Sequence, residues 1–218
     1  MAIPISDRSE DLSIEGPAGR IEVVIDFPEA ARAGVALVAH PHPLFGGTLD
    51  NKVVQTLAKT MLELGFVTLR ANFRGVGASE GSHDDGAGET DDLVHVLEHA
   101  RERFGAAAPV LCGYSFGAYV QARVAQRVAP SRMVLVGVAN GHVTGGRDYA
   151  TPAVPADTIV IHGELDETVP LANVLDWARP QELPVVVIPG ADHFFHRRLH
   201  IIRGIVLGNW SARADRNG

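Results

Sequence analysis

Short runs of apolar residues, many of them β-branched, recur along the chain and give the first indication of its architecture. From the third run onward most positions are apolar without polar alternation, which is typical of strands buried on both faces of a parallel sheet. The runs predict eight β-strands, at residues 12–16, 20–27, 34–40, 66–73, 109–113, 132–140, 158–163 and 183–190.

Segments with helical spacing alternate with these strands. In the first of them apolar residues recur every three or four positions, and Gly65 closes it as a residue just beyond a helix often does. The predicted helices are 49–65, 89–105, 116–130, 170–180 and 193–210. A hairpin-like connection joins the first two strands, and the remaining order of strand and helix favours a mixed, mainly parallel sheet with helices on both faces.

The chain has no internal repeat, low-complexity tract or linker. We therefore predict a single α/β domain over residues 1–218, with flexible ends at 1–11 and 213–218. Residues 141–157, between the sixth and seventh predicted strands, form a longer stretch than an ordinary connection but are too few for a cap domain. Their length suits a loop with one short helix.

Charge and composition exclude several classes of function. The net charge of −7 argues against a broad nucleic-acid surface. No apolar run approaches the ~20 residues of a membrane span, and the N-terminus has no signal-peptide pattern. A single cysteine, Cys112, excludes an internal disulfide and fits a reducing compartment. We expect a cytoplasmic protein without nucleic-acid or membrane partners, of undetermined oligomeric state.

A candidate nucleophile lies where the fifth predicted strand meets the third predicted helix. The pentapeptide Gly113-Tyr114-Ser115-Phe116-Gly117 has the G-x-S-x-G spacing, which is specific when it stands between a buried strand and a helix. Glycines are required there because a side chain two residues from the serine would clash with a neighbouring strand or helix. We therefore predict that Ser115 occupies a strained turn with its hydroxyl exposed.

A serine hydroxyl needs a base, and the base needs an orienting acid. The loop after the seventh predicted strand offers Glu164, Asp166 and Glu167, and we select Asp166 because a short carboxylate there can point across the sheet. The loop after the last strand offers His193, while His196 and His200 fall within the predicted last helix as solvent-facing positions. The chain order Ser115, Asp166, His193 is the one expected for this architecture.

These segments resemble the α/β-hydrolase superfamily over nearly the whole chain. "GYSFG", "HGELDETVP" and "GADHFF" are similar to its nucleophile elbow, acid loop and histidine loop. "HPHPLFGGTLDNKVV" and "NFRGVGASEG" resemble more narrowly a group of small bacterial hydrolases without a lid, similar to dienelactone hydrolases and carboxylesterases. The resemblance implies an eight-stranded sheet, no cap domain, and Ser115, Asp166 and His193 as the triad.

Hydrolysis of an ester also needs donors for the oxyanion, and two are expected. One is the N–H of Phe116, and the other should come from the loop after the third strand. Its residues Pro41 and Pro43 have no N–H, so His42, Leu44 and Phe45 remain. Analogy with the family favours His42, with Leu44 as the alternative, although Pro41 stands where relatives have glycine.

The same loop admits a different interpretation. His40 and His42 lie one residue apart and could be half of a metal site, with His83, Asp84 and Asp85 of the acidic segment Ser79–Asp92 as further ligands. A serine triad needs no metal, so we expect no metal and no cofactor. We interpret the acidic segment as a solvated loop leading into a helix, and His40 as a structural anchor beneath the site.

The expected function is hydrolysis of small carboxylic esters through an acyl-enzyme in an open, shallow site. The alternatives are a thioesterase or small-peptide hydrolase with the same triad, or a binding protein that has the fold without catalysis. The expected partner is a small-molecule ester. The predicted walls of the site are Leu44, Phe45, Tyr114, Phe116, His142, Val143 and Phe194.

Overall fold

A central sheet organises the chain. The computed structural model describes residues 5–30, 34–105 and 107–214. The strands are β1 (Ser9–Gly16), β2 (Gly19–Asp26), β3 (Val35–Ala39), β4 (Val67–Ala71), β5 (Val110–Tyr114), β6 (Arg132–Val136), β7 (Gly141–Val143), β8 (Arg147–Tyr149), β9 (Ile159–Gly163) and β10 (Val185–Ile188). The helices are α1 (Lys52–Glu63), α2 (Ala87–Phe104), α3 (Phe116–Val124), α4 (Leu171–Ala178) and α5 (Leu199–Ala214).

Eight of these strands form one sheet, in the order β1-β2-β4-β3-β5-β6-β9-β10. The pairs β1–β2 and β2–β4 are antiparallel, and all the others are parallel. The eight predicted strands and the mainly parallel sheet are therefore confirmed. The parallel strands end at one edge, so the loops that follow β3, β5, β9 and β10 meet there.

Helices cover both faces of the sheet because each central strand is apolar on both sides. In β5, Leu111 faces the cluster beneath α2, α3 and α4, whereas Cys112 faces the cluster beneath α1 and α5. This two-sided burial explains the unbroken apolar runs in the sequence. None of the helices in the described part of the chain is long and apolar enough to cross a membrane.

A buried ion pair connects the sheet to the segment before α1. Nε and Nη2 of Arg70, on β4, donate to Oδ2 of Asp26, on β2, at 3.2 and 3.1 Å, and both side chains are fully buried. Nη1 of Arg70 also donates to the carbonyl of Leu49 at 3.1 Å and to Oδ1 of Asp50 at 3.3 Å. These contacts fix the chain where it leaves the loop after β3.

Several predictions of local structure need correction. Residues 9–11 are not a flexible end, because they pair with β2 in the sheet, and residues 213–214 belong to α5. Of the other residues predicted to be flexible, 5–8 directly precede β1, whereas 1–4 and 215–218 lie outside the described residues. The third helix ends at Val124 rather than near Pro130.

The last helix begins at Leu199 instead of residue 193. Phe195 and Arg197 have positive φ angles of 52° and 60°, which no α-helix accommodates. Residues 141–157 also differ from the expected loop with a short helix, since β7 and β8 form an antiparallel hairpin there. Gly145 and Gly146, at φ of 91° and 72°, make its turn.

Candidate active site

The turn between β5 and α3 presents Ser115. Its φ and ψ of 55° and −120° lie outside the ordinary regions for a residue with a side chain. A Cβ on Gly117 would lie 2.4 Å from the carbonyl oxygen of His40, and one on Gly113 would lie 2.5 Å from that of Gly117. The two glycines are therefore required by close packing of the backbone around the serine.

The three side chains predicted to act together are hydrogen-bonded to one another. Nε2 of His193 lies 3.0 Å from Oγ of Ser115, and Nδ1 of His193 lies 2.7 Å from Oδ2 of Asp166. Ser115 is 8% exposed, His193 5% and Asp166 6%. Such burial strengthens the polar contacts because little water competes for them.

Backbone groups hold the carboxylate of Asp166 in place. Its Oδ1 accepts hydrogen bonds from the N–H groups of Thr168 and Val169, at 2.9 and 2.7 Å, which leaves Oδ2 for His193. A second buried histidine, His162, donates from Nε2 to the carbonyl of Val169 at 2.9 Å and lies 3.4 Å from Oδ2 of Asp166. Burial lowers the pKa of His162.

The alternative acids and bases lie elsewhere. Oε2 of Glu164 accepts from the N–H of Gly190 at 2.7 Å, and Glu167 is exposed. His196 is exposed in the turn before α5, where Nδ1 pairs with Asp192 at 2.6 Å. His200 is exposed on α5.

Tyr114 holds His193 from below. Its hydroxyl donates to the carbonyl of His193 at 2.8 Å, and the two rings lie 5.3 Å apart. Burial raises the pKa of Tyr114, so the hydroxyl remains a donor at neutral pH. Cys112, two residues before Tyr114 on β5, is also buried, and burial raises the pKa of its thiol. It is therefore no competing nucleophile.

The loop after β3 lies against the serine. His40 is fully buried, with Nε2 accepting from the N–H of Phe73 at 2.9 Å and Nδ1 donating to the carbonyl of Pro41 at 2.7 Å. The prediction that His40 is an anchor is thereby confirmed. Both ring nitrogens are occupied, so the metal interpretation loses one of its two leading ligands, and no group of three metal-ligating side chains occurs among the described residues.

Hydrogen bonds within this loop show which of the candidate oxyanion donors are already engaged. The N–H of Leu44 donates to Nδ1 of His42 at 3.2 Å, and the N–H of Phe45 donates to the carbonyl of His42 at 3.2 Å. Within the described residues no acceptor is found for the N–H of His42 or of Phe116. These two groups are available to a bound ligand, whereas those of Leu44 and Phe45 are already used.

The acidic segment is a folded structure beside this loop. Arg74 donates from Nε and Nη2 to the carboxylate of Asp92, both at 2.8 Å. The fully buried Glu89 accepts from Nδ1 of His83 at 2.8 Å, and the His83 ring lies 4.6 Å from that of His42. The segment therefore supports the loop after β3, as well as leading into α2.

A cavity of about 290 Å³ opens beside Ser115 and His193. Its lining residues are Pro41, His42, Phe45, Gly46, Gly47, Asn51, Tyr114, Ser115, Thr144, Gly145, Arg147, Thr168, His193 and Phe194. A larger depression of about 760 Å³ lies near the amino end of β4 and contains none of the three hydrogen-bonded residues.

Only some of the residues predicted to form the walls of the site line the cavity. Phe45, Tyr114 and Phe194 line the cavity, but Leu44 is 69% exposed and turned away from it. Phe116 and Val143 bury their side chains in the core cluster, and His142 faces solvent with Asp148 at 3.2 Å. Adjacent residues of the strand β7 point to opposite sides, and neither side is the cavity.

Comparison with known proteins shows the family to which this chain belongs. A family model for the α/β-hydrolase fold matches residues 42–145. A lidless α/β serine hydrolase of Xanthomonas campestris is 37% identical, with a TM-score of 0.85, and the alignment covers 96% of this chain and 95% of that one. The chain belongs to the α/β-hydrolase superfamily. An α/β serine hydrolase homologue from Coxiella burnetii is 39% identical over 92% of this chain and 96% of that one, with a TM-score of 0.82.

A further relative has no described activity. An uncharacterized protein of Rickettsia prowazekii is 32% identical over 83% of this chain and 79% of that protein. The present chain, like the Xanthomonas structure, has no inserted domain over its site, because its connection from β6 to β9 holds only the hairpin β7–β8. The hairpin supplies Thr144, Gly145 and Arg147 to the cavity wall, and sequence reasoning missed all three.

Proposed function

We propose that this hydrolase cleaves small carboxylic esters with Ser115 as nucleophile, His193 as general base and Asp166 as the residue that orients the base. The observation that carries the proposal is the unbroken chain of hydrogen bonds from Asp166 through His193 to Ser115, at 2.7 and 3.0 Å. Each contact lies within the reach that proton transfer requires.

The proposed reaction has two stages. His193 takes the proton of Ser115 while Oγ attacks the ester carbonyl, and the resulting imidazolium gives that proton to the departing alkoxide. Water then enters, His193 removes its proton, and the acid leaves as Oγ is protonated again. Asp166 keeps the Nδ1–H of His193 directed toward itself and stabilises the positive charge on the ring.

The N–H groups of Phe116 and His42 are the proposed oxyanion donors. Both lack an acceptor within the described residues, and both belong to segments that touch the serine turn. The Phe116 N–H also lies at the first turn of α3, where free N–H groups favour negative charge. Leu44, the alternative donor, would have to break its hydrogen bond to His42 first.

Hydrolysis of p-nitrophenyl acetate and butyrate tests the proposal. The Ser115→Ala variant is expected to lose roughly 10⁴-fold or more in kcat, because the covalent route is removed. Ser13→Ala, at an exposed position of β1, is the matched control and should keep full activity. A fluorophosphonate probe should label the wild type and the Ser13→Ala variant but not Ser115→Ala.

The proposal fails if wild type and Ser115→Ala turn over the esters at equal rates, or if the probe leaves the wild type unlabelled. The second outcome is the one expected of a binding protein with an inactive site. Thioesters and aminoacyl amides of matched acyl length, assayed in parallel, rank the three acyl classes by kcat/KM.

A further inference from the structure

One side chain gives the cavity a permanent charge. Among its lining residues, Arg147 is the only arginine or lysine, and no aspartate or glutamate is present. The remaining polar groups are hydroxyls, amides and the two imidazoles of His42 and His193. The burial that lowers the pKa of His42 to about 4 keeps that ring neutral at physiological pH. Arg147 is therefore the one permanently charged side chain among these lining residues, in a chain whose net charge is −7.

The hydrogen bonds of Arg147 go to uncharged groups. Its Nη2 donates to the carbonyl of Thr144 at 2.7 Å, and Nη1 lies 3.4 Å from the hydroxyl of Tyr149. Nε is buried without a hydrogen-bond partner. No carboxylate among the described residues lies within 4.0 Å of the guanidinium.

Several other arginines, in contrast, are paired with carboxylates. Seven of them form ion pairs with an aspartate or glutamate at 4.0 Å or less, namely Arg20, Arg70, Arg74, Arg103, Arg127, Arg179 and Arg203. Most of these pairs are on the surface, where water already solvates the charge and pairing contributes little. The arginine in the cavity has a carbonyl and a phenol instead.

The guanidinium is held at the cavity wall. Its central carbon lies 4.2 Å from the centre of the Phe45 ring, which is itself part of the lining. A guanidinium over an aromatic face is attracted to it and restricted in orientation. The hydrogen bond to Thr144 fixes the other side, so Arg147 presents its remaining N–H groups with little freedom to lose on binding.

We propose that Arg147 binds an anionic group of the substrate, and that the preferred substrates are short esters that carry a carboxylate. This rests on the proposed function of Ser115, and it adds a substrate class to it. Guanidinium and carboxylate match in planar geometry and can form two parallel hydrogen bonds. A monoester of a short dicarboxylic acid would place its ester carbonyl at Ser115 and its free carboxylate at Arg147.

The size of the cavity sets the scale of the substrate. A volume of about 290 Å³ is at the lower end of the range of ~300–1,000 Å³ typical of ligand sites. It suits a chain of a few carbons better than a long acyl group. Phe45 and Phe194 provide apolar contact for such a chain between the reacting carbonyl and the carboxylate.

The test compares esters that differ in charge and little else. Mono-p-nitrophenyl succinate and glutarate are compared with p-nitrophenyl butyrate and pentanoate, and 4-acetoxybenzoate with phenyl acetate, so that the carboxylate is tried on the acyl and the alcohol side. The wild type is expected to favour the anionic ester of at least one pair by ~10-fold or more in kcat/KM. The preference should shrink as salt is added, because salt screens the attraction.

Substitution at Arg147 should remove this preference. In Arg147→Gln the ratio of anionic to neutral kcat/KM is expected to fall about 10-fold or more, chiefly through KM, and Arg147→Lys should recover part of it. Arg179→Gln, which removes an exposed arginine paired with Asp176, is the matched control and should leave the ratio unchanged.

A measurement on the unaltered protein covers the case in which the variants do not fold. Glutarate should inhibit hydrolysis of p-nitrophenyl butyrate competitively, whereas 1,5-pentanediol at equal concentration should not. The inference is overturned if neutral esters are preferred in every pair, or if glutarate and the diol inhibit alike. Failure of the proposed function looks different, because then no ester, charged or neutral, is hydrolysed in a Ser115-dependent way.

Discussion

At the scale of single residues, His40 combines complete burial with two backbone hydrogen bonds. Burial lowers its pKa to about 4, so the ring is neutral in the folded protein at any pH above that value. In the unfolded chain a histidine titrates near ~6.5. Protons therefore bind the unfolded state more readily, and the contribution of His40 to stability is lost as the pH falls from about 6.5 toward 4.

We expect the free energy of unfolding to decrease over that interval, with up to about 3 kcal/mol attributable to His40. The measurement is urea unfolding of the wild type and of His40→Gln between pH 4.5 and 7.5. The variant starts from lower stability because it changes both backbone contacts, but its stability should fall less with acid. Parallel profiles for the two proteins would contradict this role, since His42 and His162, whose pKa values are also lowered, are present in both.

Residues of the site differ in how far the sequence reveals them. Ser115, Asp166 and His193 could be predicted because short local patterns place each at the end of a strand, and their order in the chain is informative. Arg147 could not, since it reaches the cavity only through the fold of the hairpin β7–β8. Val143 was expected in the wall because it belongs to residues 141–157, which follow the sixth predicted strand, yet its side chain completes the core.

At the scale of elements, the turn from β5 to α3 depends on two glycines with different neighbours. Gly117 lies against backbone of the loop after β3, where the nearest atom to an added Cβ would be 2.4 Å away. Backbone cannot move aside as a flexible side chain can. The turn and the loop that carries His42 are therefore packed so closely that neither can shift independently.

Gly117→Ala is expected to destabilise the protein by about 2 kcal/mol or more and to reduce the proposed esterase activity in whatever protein folds. Gly204→Ala is its matched control, because a Cβ there, on the exposed side of α5, meets nothing within 4 Å. The control should be neutral or stabilised by up to about 1 kcal/mol. Thermal unfolding of both variants measures this, and equal melting temperatures would refute the packing argument.

Elements were predictable where many residues share one pattern. The eight sheet strands stand out because both faces of each central strand are buried. The hairpin β7–β8 could not be recognised in this way, since strands of three residues are too short to show alternation. The start of α5 was placed too early because Phe195, although apolar and correctly spaced, turns back into the core at positive φ.

At the scale of the whole molecule, the pair Asp26–Arg70 joins two antiparallel strands to the segment that precedes α1. Both charges have been removed from water, so each depends on the other. The strand order β2-β4-β3 that creates this contact could not be predicted from the sequence, because apolar runs reveal strands but not their neighbours. An arginine within a buried strand was the one available sign of a buried acid.

Asp26→Ala should destabilise the protein by about 3–5 kcal/mol, because it removes the buried carboxylate with which the buried guanidinium is paired. Adding Arg70→Met to that variant should restore much of the loss, since an apolar side chain of similar length needs no partner. Urea unfolding of the two single variants and the double variant forms the cycle. If the double variant loses the sum of the single losses, the two residues are not coupled.

The hairpin that stands in place of a lid has a consequence for the second half of the proposed reaction. Once an acyl group is attached to Ser115, an opening that admits water would admit a small alcohol as well. His193 can deprotonate either one, and no described element closes over the cavity to select between them. Whether the protein hydrolyses the acyl-enzyme or transfers its acyl group would then depend on which acceptor is present. In alcohol-rich surroundings the same acyl-enzyme would yield new esters by transesterification.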